Sequence, residues 1–147
     1  MELSNYFDAM GKAKKEYIRC LEPVCKRFRL TQNELTVLLF LHNNPGLDRA
    51  ADIVSCRGIA KSHVSLAVSH LEARSILIRR FEPADRRACH LVLTEKGMEI
   101  AEAGAKRQRQ FFEALYVGIS PEERELMRSV AQKIMNNVSE FDRITEK

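Results

Sequence analysis

Apolar residues recur every three or four positions along the first 28 residues, a spacing typical of a long amphipathic α-helix. The apolar positions are Leu3, Phe7, Met10, Tyr17, Leu21, Val24 and Phe28. Pro23 lies inside this run, and we expect it to kink or end the helix because proline removes a backbone donor. A second helix is predicted from Thr31, where Thr31 and Glu34 form a capping box, to the Pro- and Gly-containing residues 43–46.

Two shorter helices separated by a glycine turn come next. The first is predicted over residues 48–55 with Asp48 as its N-cap, and Gly58 then allows the chain to turn. The second is predicted over residues 60–74, where polar positions occupy one face and the opposite face is apolar, with Val64, Ala67, Val68 and Leu71. Two short helices joined by a tight turn are typical of a helix-turn-helix.

A β-hairpin is predicted after these helices, from strand-like runs at residues 77–81 and 88–93 with Pro83 and Asp85 between them. A hairpin with arginines at its tip in this position is a wing. Thr94 is expected to cap a long helix that reaches about residue 117. Ser120 and Glu123 form a capping box that opens a last helix.

The predicted fold class is therefore mainly α with a small β-hairpin wing, a winged helix-turn-helix with long N- and C-terminal dimerisation helices. We divide the chain into residues 1–29, an N-terminal dimerisation helix; 30–93, the winged helix-turn-helix; and 94–147, the C-terminal dimerisation helices. The outer helices carry more apolar surface than one such domain can cover. A twofold homodimer would bury it, at roughly 25 cal/mol per Å², and a monomeric helical bundle is the alternative.

The positive charge of the chain is concentrated in one segment. The net charge is +4, and residues 57–87 hold seven basic and three acidic residues, whereas the remainder holds seventeen of each. A local basic excess is expected where a polyanion binds, because each neutralised phosphate releases counterions. A polyanion such as double-stranded DNA is therefore the predicted partner, and a solvated basic face, which composition alone would favour, is the alternative.

Several other classes of protein are disfavoured by the sequence. Its longest apolar run, residues 37–41, is too short to cross a bilayer, and residues 1–8 lack a signal pattern, so we expect a cytoplasmic protein. No metal site, cofactor or catalytic residue is predicted: the chain has no CxxC pair, phosphate-binding loop or nucleophile motif. A hydrolase built on Cys89 and His90 is disfavoured because adjacent strand residues point to opposite faces. We therefore do not expect an enzyme.

Four stretches resemble the MarR family of winged helix-turn-helix transcription regulators. They are residues 30–39, read as LT-x-x-E-x-x-V-L-L; residues 61–65 with 71–74; the P-x-D-R-R of residues 83–87; and the L-T-x-x-G of residues 93–97. The last two together are the most specific. One departure is Ser75, where such proteins often carry glycine, and a non-glycine residue in a left-handed cap costs about 1 kcal/mol.

The resemblance implies that the helix over residues 60–74 enters the major groove and that Arg86 reaches the minor groove. A homodimer would then act on a pseudo-palindromic operator as a sequence-specific, ligand-responsive repressor. The residues implied at DNA are Arg57, Lys61, Ser62, His63, Ser65, Leu66, Ser69, His70, Arg79, Arg86 and Arg87. For each serine, simple solvation of a polar helix face is the alternative. Asp85 is expected to orient a neighbouring arginine, because phosphate would repel its carboxylate.

The resemblance also implies a small aromatic or anionic effector between the dimerisation helices and the wing domain. Tyr17, Arg19 and His42 are the candidates, and packed or solvated helix residues are the alternative. One branch of the family carries a peroxide-sensing thiol on its first helix, so a redox-sensing regulator remains an alternative. The sequence does not settle whether any cysteine is redox-active: Cys20, Cys25, Cys56 or Cys89. A zinc-sensing branch would need histidine within residues 106–110, which have none. Two further alternatives are a helical dimerisation module without DNA binding and a nonspecific architectural DNA-binding protein.

Overall fold

The computed structural model describes residues 3–85 and 87–145. Its elements in chain order are α1 (Leu3–Phe28), α2 (Gln32–Asn43), α3 (Ala50–Arg57), α4 (Lys61–Ala73), β1 (Leu77–Phe81), β2 (Cys89–Leu93), α5 (Glu95–Leu115) and α6 (Pro121–Thr145). The predicted fold class, mainly helical with one small hairpin, is confirmed. No helix among the described residues is both long enough and apolar enough to span a membrane.

The chain divides into two compact units, Met1–Phe111 and Phe112–Lys147. The core of the first unit is built around α2, whose apolar residues from Leu35 to Phe40 are almost completely buried. Every other element of this unit adds to the core, through Leu21 and Val24 of α1, Ile53 of α3, Val64, Val68 and Leu71 of α4, Leu77 and Leu91 of the hairpin, and Ile100, Ala101 and Ala105 of α5. Since α2 is enclosed by these elements, it is apolar around most of its circumference.

Pro23 does not end α1, which is one helix from Leu3 to Phe28, so of the two expected outcomes the end of the helix is wrong. The pyrrolidine ring is exposed, whereas Leu21 and Val24 on either side of it are buried in the core. Packing of these neighbours stabilises the helix across Pro23 and offsets the loss of one backbone hydrogen bond.

Asp48 is not the N-cap of the third helix, which is a second correction to the sequence prediction. The cap is Arg49, and its backbone N–H donates to the Asp52 carboxylate at 3.0 Å. The Asp48 carboxylate instead lies 2.7 Å from Nδ1 of His90 on β2. The Asp48 side chain therefore bonds to a residue 42 positions away in the chain instead of capping the helix that follows it.

The other predicted caps are confirmed. The backbone N–H of Glu34 donates to the Thr31 hydroxyl at 3.2 Å, and that of Thr31 to the Glu34 carboxylate at 2.9 Å. Ser120 and Glu123 form the same reciprocal pair at the start of α6. Thr94 accepts a hydrogen bond from the backbone N–H of Gly97 at 3.1 Å. These bonds satisfy donors that a helix N-terminus leaves unpaired.

In the second unit, α6 carries a continuous exposed apolar side, as its sequence pattern predicts. It consists of Leu126, Met127, Val130, Ile134, Met135, Val138 and Phe141. In the first unit the N-terminal part of α1 also exposes large apolar side chains, among them Tyr6, Phe7 and Met10.

Gly97 allows α5 to begin directly over the hairpin. A Cβ at this position would lie 2.1 Å from the carbonyl oxygen of Ile76, which is backbone and cannot rotate away. We therefore expect Gly97→Ala to lower the free energy of unfolding by about 2–4 kcal/mol, measured by urea denaturation followed by circular dichroism.

Gly11→Ala is the matched control, because a Cβ at Gly11 meets nothing within 4 Å. Alanine is the better helix former, so this variant should be more stable by about 0.5–1 kcal/mol. Equal stability of Gly97→Ala and the wild type would contradict the close approach.

Candidate nucleic-acid interface

The helix α4 has one buried face and one polar face. Val64, Ala67, Val68 and Leu71 are buried, as the sequence predicts. The opposite side exposes Lys61, Ser62, His63, Ser65, Leu66, Ser69 and His70. Leu66 is 56% exposed, and a large aliphatic side chain on a polar surface suits an apolar contact such as a thymine methyl group. The structure therefore gathers the residues predicted on this helix onto one accessible surface.

The turn before α4 is fixed by Gly58, which has φ +62° and donates its backbone N–H to Val54 at 3.0 Å. Arg57, which precedes it, places its guanidinium 5.4 Å from the centroid of the Phe40 ring. A cation over an aromatic face is attracted to it, so Arg57 is oriented by the core beneath it.

The C-terminus of α4 ends in a Schellman motif centred on Ser75, which has φ +55°. The N–H of Ile76 donates to Leu71 and that of Ser75 to Glu72, both at 2.9 Å. The left-handed cap is therefore formed without glycine. Leu71 and Ile76, the two residues joined by the first of these bonds, are both buried, and an apolar pair at these positions often accompanies the motif.

Two polar links that the sequence did not predict connect α4 to other helices. The Arg74 guanidinium donates to the carbonyls of Phe28 and Arg29, at 2.7 and 2.8 Å, and so joins the end of α4 to the end of α1. Nδ1 of His70 lies 3.1 Å from the carboxylate of Glu34, which is only 4% exposed. The local sequence pattern predicts that Glu34 caps α2, but it does not predict that Glu34 also contacts a residue of α4.

The hairpin lies next to α4, with Leu77 opposite Leu93 and Phe81 opposite Cys89 in an antiparallel register. Arg79 forms an ion pair with Glu72 and also donates to the Ser69 hydroxyl at 3.3 Å, so its guanidinium is turned towards α4. Asp85 accepts the backbone N–H of Arg87 at 2.9 Å, and the Arg87 side chain is exposed. Arg86, the predicted minor-groove residue, lies outside the described residues.

Residues 30–88, which contain the helix-turn-helix and most of the hairpin, match the MarR family model. Over this segment the chain is similar to the MarR family of transcription regulators. A curated relative is the uncharacterised HTH-type transcriptional regulator YdgJ of Bacillus subtilis (strain 168), 26% identical over 113 residues, which are 77% of this chain and 68% of YdgJ.

Solved structures of MarR-family proteins share the fold. A regulator from Silicibacter pomeroyi is similar with a TM-score of 0.78 at 20% identity, over 92% of this chain and 90% of that one. S. aureus MepR in complex with DNA has a TM-score of 0.71 at 22% identity, over 93% and 98% of the two chains. Bordetella bronchiseptica BpsR, whose DNA binding is regulated by 6-hydroxynicotinic acid, has a TM-score of 0.68 at 23% identity, over 89% and 98%.

An apolar cavity of about 380 Å³ lies between α3, α4 and the hairpin. Its apolar lining includes Val54, Val68 and Leu91, and the polar groups beside them include Lys61 and Arg79. Apolar walls with a few convergent polar groups are typical of small-molecule sites. Because Lys61 also lies on the exposed face of α4, an occupant would share that side chain with the candidate interface.

Two of the three predicted effector residues belong to one hydrogen-bond network. Gln108, only 9% exposed, donates to the Tyr17 hydroxyl and accepts from Asn43 at 2.8 Å. His42 lies 3.0 Å from the Asn43 side chain. Sequence reasoning missed Asn43 and Gln108, although Gln108 falls at helical spacing from the apolar positions Ala101 and Ala105. Arg19 is exposed and pairs with Glu16 at 3.6 Å, so the structure does not bring it into this network.

All four cysteines are free thiols. Burial raises the pKa of Cys20, against the opposing influence of Arg107, and burial together with Glu22 and Glu34 raises the pKa of Cys25. A raised pKa leaves less of the reactive thiolate at neutral pH. Among the described residues, no three His, Cys, Asp or Glu side chains are placed to hold a metal ion.

Proposed function

We propose that the chain is a sequence-specific repressor that binds a pseudo-palindromic duplex operator as a homodimer and responds to a small molecule. The observation that carries the proposal is the exposed polar face of α4 beside an arginine-bearing hairpin, within the segment that holds the net positive charge of the chain. The match of residues 30–88 to the MarR family model supports it, as does the DNA complex of the similar S. aureus MepR.

In this proposal α4 lies in the major groove. Lys61 meets phosphate at the helix N-terminus, where backbone N–H groups add to its charge. Ser62, Ser65 and Leu66 face base edges, and His63, Ser69 and His70 contact bases or phosphates farther along the helix. Arg57 contacts phosphate from the turn. Arg86 and Arg87 lie at the minor groove, where a narrow A·T-rich groove attracts cations. Arg79 contributes after exchanging Glu72 for phosphate.

The homodimer is supported by apolar faces that the single chain leaves exposed. These faces lie on the N-terminal part of α1 and along α6. Apolar patches of this extent are uncommon on monomers and mark interaction surfaces. A twofold pair would present two α4 helices to successive half-sites about 34–36 Å apart.

The effector proposal rests on the cavity between α3, α4 and the hairpin. A small aromatic carboxylate would place its ring against Val54, Val68 and Leu91 and its charge near Lys61. Phosphate and effector would then compete for Lys61, which couples effector binding to release of DNA. The network of Tyr17 and His42 is the second candidate location.

The remaining alternatives are weaker. A thiol-based redox sensor is disfavoured because Cys20 and Cys25 have raised pKa values. A dimerisation module without DNA binding leaves the exposed polar face of α4 and the local basic excess unexplained.

The first prediction concerns charge on the interface. Lys61→Ala, Arg86→Ala and Arg87→Ala should each weaken binding to a selected duplex and lower the slope of log K against log salt by roughly 0.9, the value for one lost phosphate contact. Fluorescence anisotropy at several salt concentrations measures both quantities.

Lys106→Ala, which removes a lysine of α5 outside the basic segment, serves as the control and should leave affinity unchanged. Random duplex should compete poorly with the selected one. Unchanged affinity in all three interface variants would refute the placement, and equal competition would indicate a nonspecific architectural protein.

The second prediction concerns the dimer. Val130→Glu should convert the dimer to monomer at micromolar concentration, since a carboxylate cannot be buried unpaired on the apolar side of α6. Gln132→Glu lies about 200° farther around the same helix and should remain dimeric. Sedimentation velocity distinguishes the two states, and a wild-type monomer would rule the homodimer out.

The third prediction concerns the effector. An aromatic carboxylate, with 6-hydroxynicotinic acid as the probe, should bind the free protein and weaken its affinity for DNA. Val54→Phe fills the cavity and should abolish probe binding, measured by calorimetry, whereas Tyr17→Phe should not. The reverse pattern would move the site to the Tyr17 network.

A further inference from the structure

His90 on β2 has a carboxylate at each ring nitrogen. Nδ1 lies 2.7 Å from the Asp48 carboxylate, and Nε2 lies 2.8 Å from that of Glu82. A neutral imidazole has one N–H donor and one lone pair, so it can satisfy only one of these carboxylates. Only the imidazolium, with two donors, fits both partners. The two carboxylates are therefore bridged by His90 only when its ring is protonated.

The bridge joins three separate segments of the chain. Asp48 lies in the loop that leads into α3, Glu82 opens the wing turn (residues 82–88) after β1, and His90 stands on β2. The backbone N–H of Leu91 also donates to the Asp48 carbonyl at 2.7 Å. The Glu82 N–H donates to the Ala88 carbonyl at 3.1 Å, so a restraint on Glu82 also acts at the other end of the turn.

We propose that His90 is a positioning residue for the wing, whose imidazolium form ties the wing turn to the helix-turn-helix and thereby holds the wing arginines at DNA. The inference rests on the proposed DNA-binding function. It adds to that function a dependence of DNA affinity on a histidine that does not itself contact DNA.

The charged groups around His90 determine the sign of this dependence. The hydrogen bonds that His90 donates to the carboxylates of Glu82 and, second, Asp48 raise the pKa of His90 above its ordinary value of 6.5. Two guanidinium groups are also near: Arg49 lies 3.7 Å from Glu82, and Arg80 is the cross-strand partner of His90 on the same face.

Because the pKa of the folded state is raised, the bridge is fully formed below pH 6.5 and is lost as pH rises through the raised pKa. After His90 loses its proton, the Arg49–Glu82 pair and the Leu91 backbone bond remain. The strand therefore stays in place, whereas the link from Asp48 through the ring to Glu82 is broken, because neutral His90 can donate to only one of the two carboxylates. Alkaline solution should weaken DNA binding through the wing.

The bridge can be tested without DNA by following the ring protons of His90 in the full-length protein by NMR as pH is raised. The midpoint should lie above 6.5 and should fall in both Asp48→Asn and Glu82→Gln. A midpoint at or below the ordinary value, or one that neither variant changes, would overturn the bridge.

Its role in DNA binding is tested by anisotropy titrations between pH 6 and pH 9. The wild type should lose roughly three- to tenfold in affinity through this residue, the range for one charge-assisted hydrogen bond on a partly exposed group. His90→Gln should be weak already at pH 6 and should lack this component.

His90→Arg, which keeps two donors and a charge at every pH, should retain high affinity at pH 9. His63 and His70 lie on α4 and contribute the same background to every variant, so the difference between variants is the readout. Identical pH profiles for wild type and His90→Gln would overturn the positioning role. Absence of DNA binding at every pH would instead refute the proposed function, and the NMR titration would still decide the bridge.

Discussion

The packing of α4 against α2 is the interaction on which the rest of the structure depends. Helix α2 is enclosed on nearly all sides, so the helices around it must each supply an apolar face. Once Val64, Val68 and Leu71 are buried, the helical period requires the polar side of α4 to face outward. The same burial that stabilises the domain therefore creates its candidate interface. No further interaction is needed to expose that surface.

The ends of α4 determine how firmly that surface is held. At its C-terminus the Schellman motif ends α4, and the Arg74 guanidinium fixes this end to the last turn of α1. Near the same end, His70 contacts the buried Glu34 of α2. Arg74 therefore links α4 directly to α1, the helix whose N-terminal part exposes apolar residues.

Local patterns in the sequence were sufficient for the element order, the capping boxes and the two faces of α4, because each depends on residues three or four positions apart. The errors arose where distant residues decide. Pro23 stays within a helix because the residues on either side of it are buried in the core. The Asp48 carboxylate bonds to His90 instead of capping a helix. Gln108 could have been noticed as a polar residue at a core position, but its partners Tyr17 and Asn43 come from other helices.

Fewer cations of the basic segment are available to phosphate than its seven basic residues suggest, because several of them already have internal partners. Arg79 forms an ion pair with Glu72, and Arg74 donates hydrogen bonds to backbone carbonyls. The guanidinium of Arg57 lies over the ring of Phe40. Each partner stabilises its cation where it is and must be given up before that cation can meet phosphate. Lys61, Arg80 and Arg87 form no ion pair with any residue that the structure describes. In the proposed complex they would bind phosphate without such a loss, so each should contribute more to the electrostatic part of binding than a cation that already has an internal partner.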